Sequence, residues 1–157
     1  MNPTFRFTRP SASRVRRHAG FTLIETMVTI AIAGVLSSVA YPSLEGQVMR
    51  ARRSDALVAL MQAQLAQERF RANNASYGSL ADAGVRPTSP AGHYRIAVVS
   101  SDAAGFALLA SAVAGQARDT RCSHLRLGLA DATLTYASGS DASTANGADA
   151  NRACWSR

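Results

Sequence analysis

The stretch that decides the fold is FTLIETMVTIAIAGVLSSVA, from Phe21 to Ala40. It contains one charged residue, Glu25, among 20. As an α-helix it would be about 30 Å long, which matches the apolar core of a bilayer. Three interpretations are open: the buried helix of a soluble protein, a secretory signal cut after Ala40, and a membrane helix that the mature protein keeps. The missing amphipathic stripe counts against the first interpretation, and the length of the run counts against the second.

The segment before this run is polar and strongly basic. Its first 17 residues contain no acid and five arginines: Arg6, Arg9, Arg14, Arg16 and Arg17. The whole chain has a formal net charge of +7, and without these arginines 12 basic residues face 10 acidic ones. The basicity therefore belongs mainly to an N-terminal tail, which favours a cytoplasmic N-terminus over a nucleic-acid-binding surface. Basic residues usually flank a membrane helix on its cytoplasmic side. The arginines at 50, 52 and 53 weaken this argument, because they follow the apolar run on its other side.

The junction reads RRHAG at residues 16–20 and FTLIE at residues 21–25. It resembles the signature of the type IV pilin family, in which a basic leader and a glycine precede an apolar helix with glutamate as its fifth residue. The resemblance implies cleavage between Gly20 and Phe21 by a prepilin peptidase, and N-methylation of Phe21. Gly20 has no side chain, so an extended scissile segment can lie close to a protease.

Glu25 is a lone carboxylate in a bilayer-length segment. Such a group costs about 2.5–3.5 kcal/mol near the centre of a membrane helix, and less near its end. Cleavage would create an ammonium group on Phe21, four residues away and on the same helix face. The resemblance implies that this pairing, made with a neighbouring subunit, sets the register of assembly. The alternative is that Glu25 only reaches the membrane surface from the helix end.

The helix is expected to continue from Phe21 to about Asn74. Pro42 lacks an amide hydrogen and Gly34 lowers helix stability, so a kink is predicted at these two positions. A simple helix end at Pro42 is the alternative. From residue 50 the pattern becomes amphipathic, and an apolar stripe is expected to pack on a sheet. Its members are Leu57, Leu60, Met61, Leu65 and Ala66. The segment ARRSDA at residues 51–56 also resembles type IVa pilins.

Four short strands are predicted after the helix, at residues 93–100, 106–113, 123–129 and 132–137. Their alternating apolar residues and short turns favour an antiparallel meander. Residues 138–153 are small and polar, and are predicted to form a loop. The expected fold class is α+β, a long helix packed on a four-stranded antiparallel sheet. Its three parts are a leader (1–20), a membrane and filament-core helix (21–48) and a periplasmic or extracellular head (49–157).

Two cysteines, Cys122 and Cys154, enclose 31 residues. In an exported chain an even cysteine count indicates one disulfide, and in a reducing compartment it indicates two free thiols. DTRC at residues 119–122 and Cys154-Trp155 resemble PilE-type minor pilins. The resemblance implies an exported protein, so a disulfide between Cys122 and Cys154 is predicted. It would stabilise the head by about 3–4 kcal/mol in the loop-entropy picture.

Nothing in the sequence supports catalysis. His18, His93 and His124 are scattered, and no cysteine or histidine spacing fits zinc. We therefore expect a non-enzymatic protein without a cofactor. The resemblance implies a structural minor pilin that supports pilus assembly, adhesion or twitching motility. Its partners would be other pilin subunits and the prepilin peptidase, and it would move from the inner membrane to an extracellular filament.

Two other functions remain open. The first is a DNA-binding competence pilin, in which Arg152 and Trp155 would contact a phosphate and a base. Other arginines would line the same groove: Arg118, Arg121, Arg126 and Arg157. The acids among residues 118–157 count against it, because they nearly balance the arginines there. The second is a pseudopilin of a type II secretion system, which shares the N-terminal motif. The cysteine loop near the C-terminus favours a pilus.

Overall fold

A computed structural model describes residues 20–156 of the chain, apart from the side chain of Pro42. The predicted leader, except Gly20, lies outside the described residues, and so does Arg157. In chain order the elements are α1 (Leu23–Arg71), β1 (Tyr94–Ser101), β2 (Gly105–Ala112), a 3-10 helix (Ala114–Arg118), β3 (His124–Ala130), β4 (Thr133–Gly139) and α2 (Ala148–Trp155). The predicted α+β class is confirmed.

The chain divides into two compact units, one up to Val39 and one from Ala40 onward. In α1 an 18-residue window has a mean hydropathy of 1.9, and none of its residues is buried. This segment has the length and composition of a membrane-spanning helix. The helix continues through residue 42, so Pro42 does not end it. The kink at Gly34 and Pro42 stays a prediction. At its other end, α1 stops at Arg71, slightly before the expected Asn74.

In the second unit, α1 faces the sheet with a line of small and medium apolar side chains. Its buried members are Ala56, Leu57, Ala59, Leu60, Ala63 and Ala66. The predicted stripe is thus confirmed at three positions and wrong at Met61 and Leu65, whose side chains are 45% and 61% exposed. Met61 and Leu65 lie on a helix face that the sheet does not cover, whereas the line that faces the sheet consists mostly of alanines, which let the helix approach the sheet closely.

The sheet is an antiparallel meander in the order β1-β2-β3-β4. The predicted strands match the observed ones to within one or two residues. Alternate side chains of the strands point toward α1 and complete the core with it. They are Tyr94, Ile96, Phe106, Leu108, Ala110, Leu125 and Leu127.

The prediction of a loop over residues 138–153 is wrong. The end of β4 and most of α2 lie there. The side chains of α2 hold it against β4: Asn151 Nδ2 donates to the carbonyl of Tyr136 at 2.8 Å, and Trp155 Nε1 donates to that of Ala137 at 3.1 Å. The small polar residues of this segment therefore form a helix because of tertiary contacts, which a local pattern does not reveal.

Candidate functional site

The leader junction lies in exposed, non-helical backbone just before α1. Residues 20–22 have no regular structure, and the Phe21 side chain is 84% exposed. Among residues 20–156, nothing lies within 4 Å of the position that a Cβ would take on Gly20. The described part of the chain therefore leaves the predicted cleavage bond sterically accessible.

Thr22 caps the first turn of α1. Its Oγ1 accepts the backbone N–H of Glu25 at 3.3 Å, and its carbonyl accepts the N–H of Thr26 at 3.2 Å. Thr22 and Glu25 have the spacing of a capping box, a signal that the sequence analysis missed. Among the described residues, the Glu25 carboxylate has no ion pair. An acid in the first turn is favoured by the helix dipole, but the carboxylate remains available to a further partner.

Arg53 joins α1 to the chain segments at one end of the sheet. Its Nε and Nη2 donate to the two carboxylate oxygens of Asp119 at 2.6 and 2.9 Å, and its Nη1 donates to the carbonyl of Ala153 at 3.1 Å. The two charged side chains are only 12% and 7% exposed. A bidentate, largely buried pair fixes the geometry of three segments at once.

Asp55, half a turn further along α1, holds the loop that precedes β1. Its carboxylate accepts from Ser89 Oγ at 2.5 Å and from the backbone N–H groups of Ala91 and His93 at 2.9 and 3.2 Å. The segment ARRSDA thus carries two anchoring side chains, Arg53 and Asp55. The segment that resembles type IVa pilins therefore has a structural role in this chain, because it holds neighbouring segments to α1.

The buried side chain of Gln116 connects β1 to α1. Gln116 Nε2 lies 3.0 Å from the Tyr94 hydroxyl and donates to the carbonyl of Met49 at 3.1 Å. Burial raises the pKa of Tyr94 to about 12, so the phenol stays neutral at physiological pH. These contacts hold β1, the 3-10 helix and α1 together, and among them there is no acid–base pair suited to catalysis.

Cys122 and Cys154 are joined by a disulfide, as predicted. Their Cα atoms lie 5.6 Å apart, and both side chains are fully buried. The bond links the segment just before β3 to α2. It is not the sole anchor of the tail, because Asn151 and Trp155 also hold α2 to β4.

The two residues proposed for DNA contact have different environments. The Arg152 side chain is 78% exposed, and its Nη2 lies 3.7 Å from Asp149 Oδ1. Trp155 is half-buried and packs edge-to-face on Tyr136, with ring centroids 4.9 Å apart. Its indole N–H is used within the fold. Trp155 is therefore an anchor of α2 in this structure and not a free stacking surface.

A row of basic residues lies on the face of the sheet that points away from α1. Arg95, Ser111 and His124 are cross-strand neighbours in successive strands. Arg126 lies two residues beyond His124 on β3 and so shares its face. No ion pair involves Arg95 or Arg126 among residues 20–156. The sequence alone does not place Arg95 and His124 beside Arg126, because their proximity depends on strand register.

Comparison with known proteins identifies the family. The model described as the prokaryotic N-terminal methylation motif matches residues 15–41. The model described as type IV minor pilin ComP, DNA uptake sequence receptor, matches residues 42–126, more than half of the chain. The chain belongs to this type IV minor pilin family. The first match covers the predicted cleavage junction, and the second covers the head half of α1 and most of the sheet.

Curated proteins similar to this chain include type II secretion system core proteins G. The protein of Vibrio cholerae is 30% identical over 82 residues, which are 49% of this chain and 56% of the relative. That of Pectobacterium carotovorum is 38% identical over 63 residues, 40% of each chain. That of Aeromonas hydrophila is 36% identical over 62 residues, 40% of this chain and 43% of the relative. The chain thus spans about half the length of the curated relatives that it matches.

Proposed function

We propose that this minor pilin is a structural subunit of a type IV pilus. In this proposal it is cut between Gly20 and Phe21, methylated at Phe21, held in the inner membrane by residues 21–48 and then moved into an extracellular filament. The observation that carries the proposal is the uncovered apolar part of α1. Apolar surface of this extent is unstable in water, so it requires a bilayer first and packed neighbouring helices afterwards.

The head half of α1 supports the same proposal. Beside the line that packs on the sheet, a second apolar line points outward and contains Val58, Met61 and Leu65. Its side chains lie at steps of three and four residues, so they share one helix face. An outward apolar line on a helix is suited to contact other subunits.

Glu25 has a specific role in this proposal. Its carboxylate would pair with the ammonium group of Phe21 on a neighbouring subunit and so define the register of the helices. Pairing within one chain is less favourable, because α1 begins at Leu23 and the backbone at Phe21 is not helical. The four-residue spacing therefore does not align the two groups on one helix face.

The proposal is tested on sheared filaments from cells that produce the full chain. Intact-mass analysis should find this protein with methylated Phe21 as its first residue and with the Cys122–Cys154 bond formed. A protein that begins at Tyr41 would indicate an ordinary secretory signal. Its absence from filaments, with the processed chain present in membranes, would also contradict the proposal.

The curated relatives favour a second assembly, a type II secretion pseudopilus, as the alternative. The two assemblies differ in what a cell loses when the gene is deleted. Loss of surface filaments with normal protein secretion supports the pilus. Loss of secreted proteins from the medium with normal filaments supports the pseudopilus.

DNA binding is a second candidate function. Two observations favour it: the matched family is described as a DNA uptake sequence receptor, and a basic row crosses the outer face of the sheet. Arg95, His124 and Arg126 would contact phosphates there. This assignment moves the candidate DNA contacts away from Arg152 and Trp155, because Trp155 is engaged with β4.

A further inference from the structure

Charge is unevenly divided between the two ends of the second unit. The end that contains the β2–β3 connection comprises residues 45–55, 89–93, 113–122, 139–141 and 148–156. This basic end has six arginines and five acids: Arg50, Arg52, Arg53, Arg118, Arg121, Arg152, Glu45, Asp55, Asp119, Asp141 and Asp149. Arg53 is paired with Asp119 and Arg118 with Glu45, and the charges that remain at this end have a small positive excess.

The opposite end contains the β1–β2 and β3–β4 turns, since alternate turns of an antiparallel meander lie at the same end. It comprises residues 66–85, 99–107 and 128–135. This acidic end has four acids and two arginines: Glu68, Asp82, Asp102, Asp131, Arg69 and Arg71. The second unit therefore has complementary charges at its two ends.

The basic end contains a cleft of about 610 Å³ between α1 and the C-terminal segment. Arg50, Arg53 and Arg121 line it, and Leu57 and Ala153 contribute apolar surface. Among the described residues, neither Arg50 nor Arg121 has an ion pair. The cleft thus combines two available guanidinium groups with an apolar wall, and it suits a ligand that presents a carboxylate beside an apolar group.

The β3–β4 turn at the acidic end has this combination. Its two central residues, Asp131 and Ala132, have positive φ angles of 46° and 63°. The Asp131 carboxylate forms no ion pair within residues 20–156, and the nearby Leu134 side chain is 39% exposed. Asp102 in the other turn differs, because its carboxylate already accepts the N–H groups of Ala104 and Gly105.

We propose that the β3–β4 turn of one copy of this chain docks in the arginine cleft of a second copy. Asp131 pairs with Arg121 and Arg50, and Leu134 packs against the apolar wall near Leu57. The two surfaces lie at opposite ends of the same unit, so the contact is head-to-tail. A head-to-tail contact repeats along an open helical array and does not close into a dimer. This inference rests on the proposed filament function.

The test uses the full chain in cells that make filaments. We measure the ratio of this protein in sheared filaments to that in membranes for Arg121→Asp, Asp131→Arg and the combined variant. Each single change places like charges in the contact and should lower the ratio several-fold. The combined variant restores opposite charges, and its ratio should return to within about twofold of wild type. Arg86→Asp alters an exposed arginine outside both ends and should leave the ratio unchanged.

Unchanged ratios in both single variants would overturn the contact and leave the filament proposal intact. A combined variant as depleted as the single ones would overturn it too. A photoreactive phenylalanine analogue in place of Leu134 gives a second measurement that needs no charge change. Its adduct should join residues 50–57 or Arg121 of another copy, and an adduct with a different protein contradicts the proposal. Wild-type protein absent from filaments would instead reject the filament function, and this contact with it.

Discussion

At the scale of single residues, the hydroxyl side chains in the apolar part of α1 form their hydrogen bonds within the helix. Hydroxyl groups in this part donate to carbonyls three or four residues earlier: Thr26 to Thr22, Thr29 to Glu25, Ser37 to Ala33 and Ser38 to Val35. Such bonds remove the cost of a hydroxyl in a bilayer. Glu25 differs, because its side chain has no ion pair among the described residues.

This difference predicts the behaviour of Glu25 variants. Glu25→Gln keeps the shape and removes the charge, so the protein should be inserted and cut at Gly20, yet depleted from filaments and retained in the membrane. Glu25→Val should behave alike. Thr29→Val is the matched control, because the Thr29 hydroxyl bonds only within the helix. The measurement is the ratio of protein in filaments to protein in membranes. An equal ratio for wild type and Glu25→Gln would mean that Glu25 only reaches the membrane surface.

A second residue-scale prediction concerns the β3–β4 turn. Ala132 has a φ of 63°, a left-handed conformation that glycine adopts without strain. Ala132→Gly should therefore raise the free energy of unfolding by about 0.5–1 kcal/mol. Ala137→Gly, in the middle of β4, should lower it by a similar amount. Thermal unfolding of the detergent-solubilised protein measures both. A loss of stability in Ala132→Gly would contradict the assigned turn conformation.

At the scale of elements, the sequence predicts the strands better than the last helix. The strands have alternating apolar residues, and this alternation survives in the burial of Tyr94 and Ile96. α2 has eight residues and no side-chain N-cap, so its helical state depends on contacts with β4. The sequence pattern also does not show which apolar residues of α1 face the sheet. Leu65 and Leu57 are the same residue type, and the alanine line decides which of them faces the sheet.

The disulfide between the segment just before β3 and α2 gives an element-scale prediction. Cys154→Ala should lower the free energy of unfolding by about 2–4 kcal/mol, because the unfolded chain loses its cross-link. Leader cleavage should be unaffected. Cys122→Ala and the double variant should show the same loss, since all three remove one bond. Thiols in unreduced wild-type protein should resist alkylation. Rapid labelling of both cysteines in the native protein would contradict the assigned bond.

At the scale of the whole molecule, removal of the leader changes the charge more than any other event in the proposed pathway. The chain carries +7, and five of its 17 arginines lie in the first 17 residues. A nearly balanced mature chain has little general attraction for DNA, so any DNA affinity should come from a local surface. The junction motif is visible in the sequence, whereas the row of Arg95, His124 and Arg126 emerges only when strands are placed in register.

The DNA candidate predicts weak binding that depends on this row. The mature protein in detergent should bind duplex DNA with affinity that falls with salt, with a log–log slope of about −2 to −3 for two or three phosphate contacts. Arg95→Ala combined with Arg126→Ala should abolish most of this binding, and Arg86→Ala should not. Binding that is lost in Arg152→Ala and Trp155→Ala would instead favour the C-terminal segment. No binding at low salt would remove the DNA function.

The position of α2 has a consequence for how the head avoids uncontrolled aggregation. Strand β4 is an outer strand of the sheet, and unpaired carbonyls on such a strand are templates for pairing with another chain. The backbone N–H of Asn146 and the side chain of Asn151 donate to the carbonyls of Ser138 and Tyr136, and so occupy two acceptor positions on that edge. Pairing of β4 with a strand of another head would have to displace these contacts, which disfavours merging of the sheets into a cross-β fibre. In the proposed filament, subunits would then associate through side-chain and helix contacts, which can form and dissociate without unfolding the subunit.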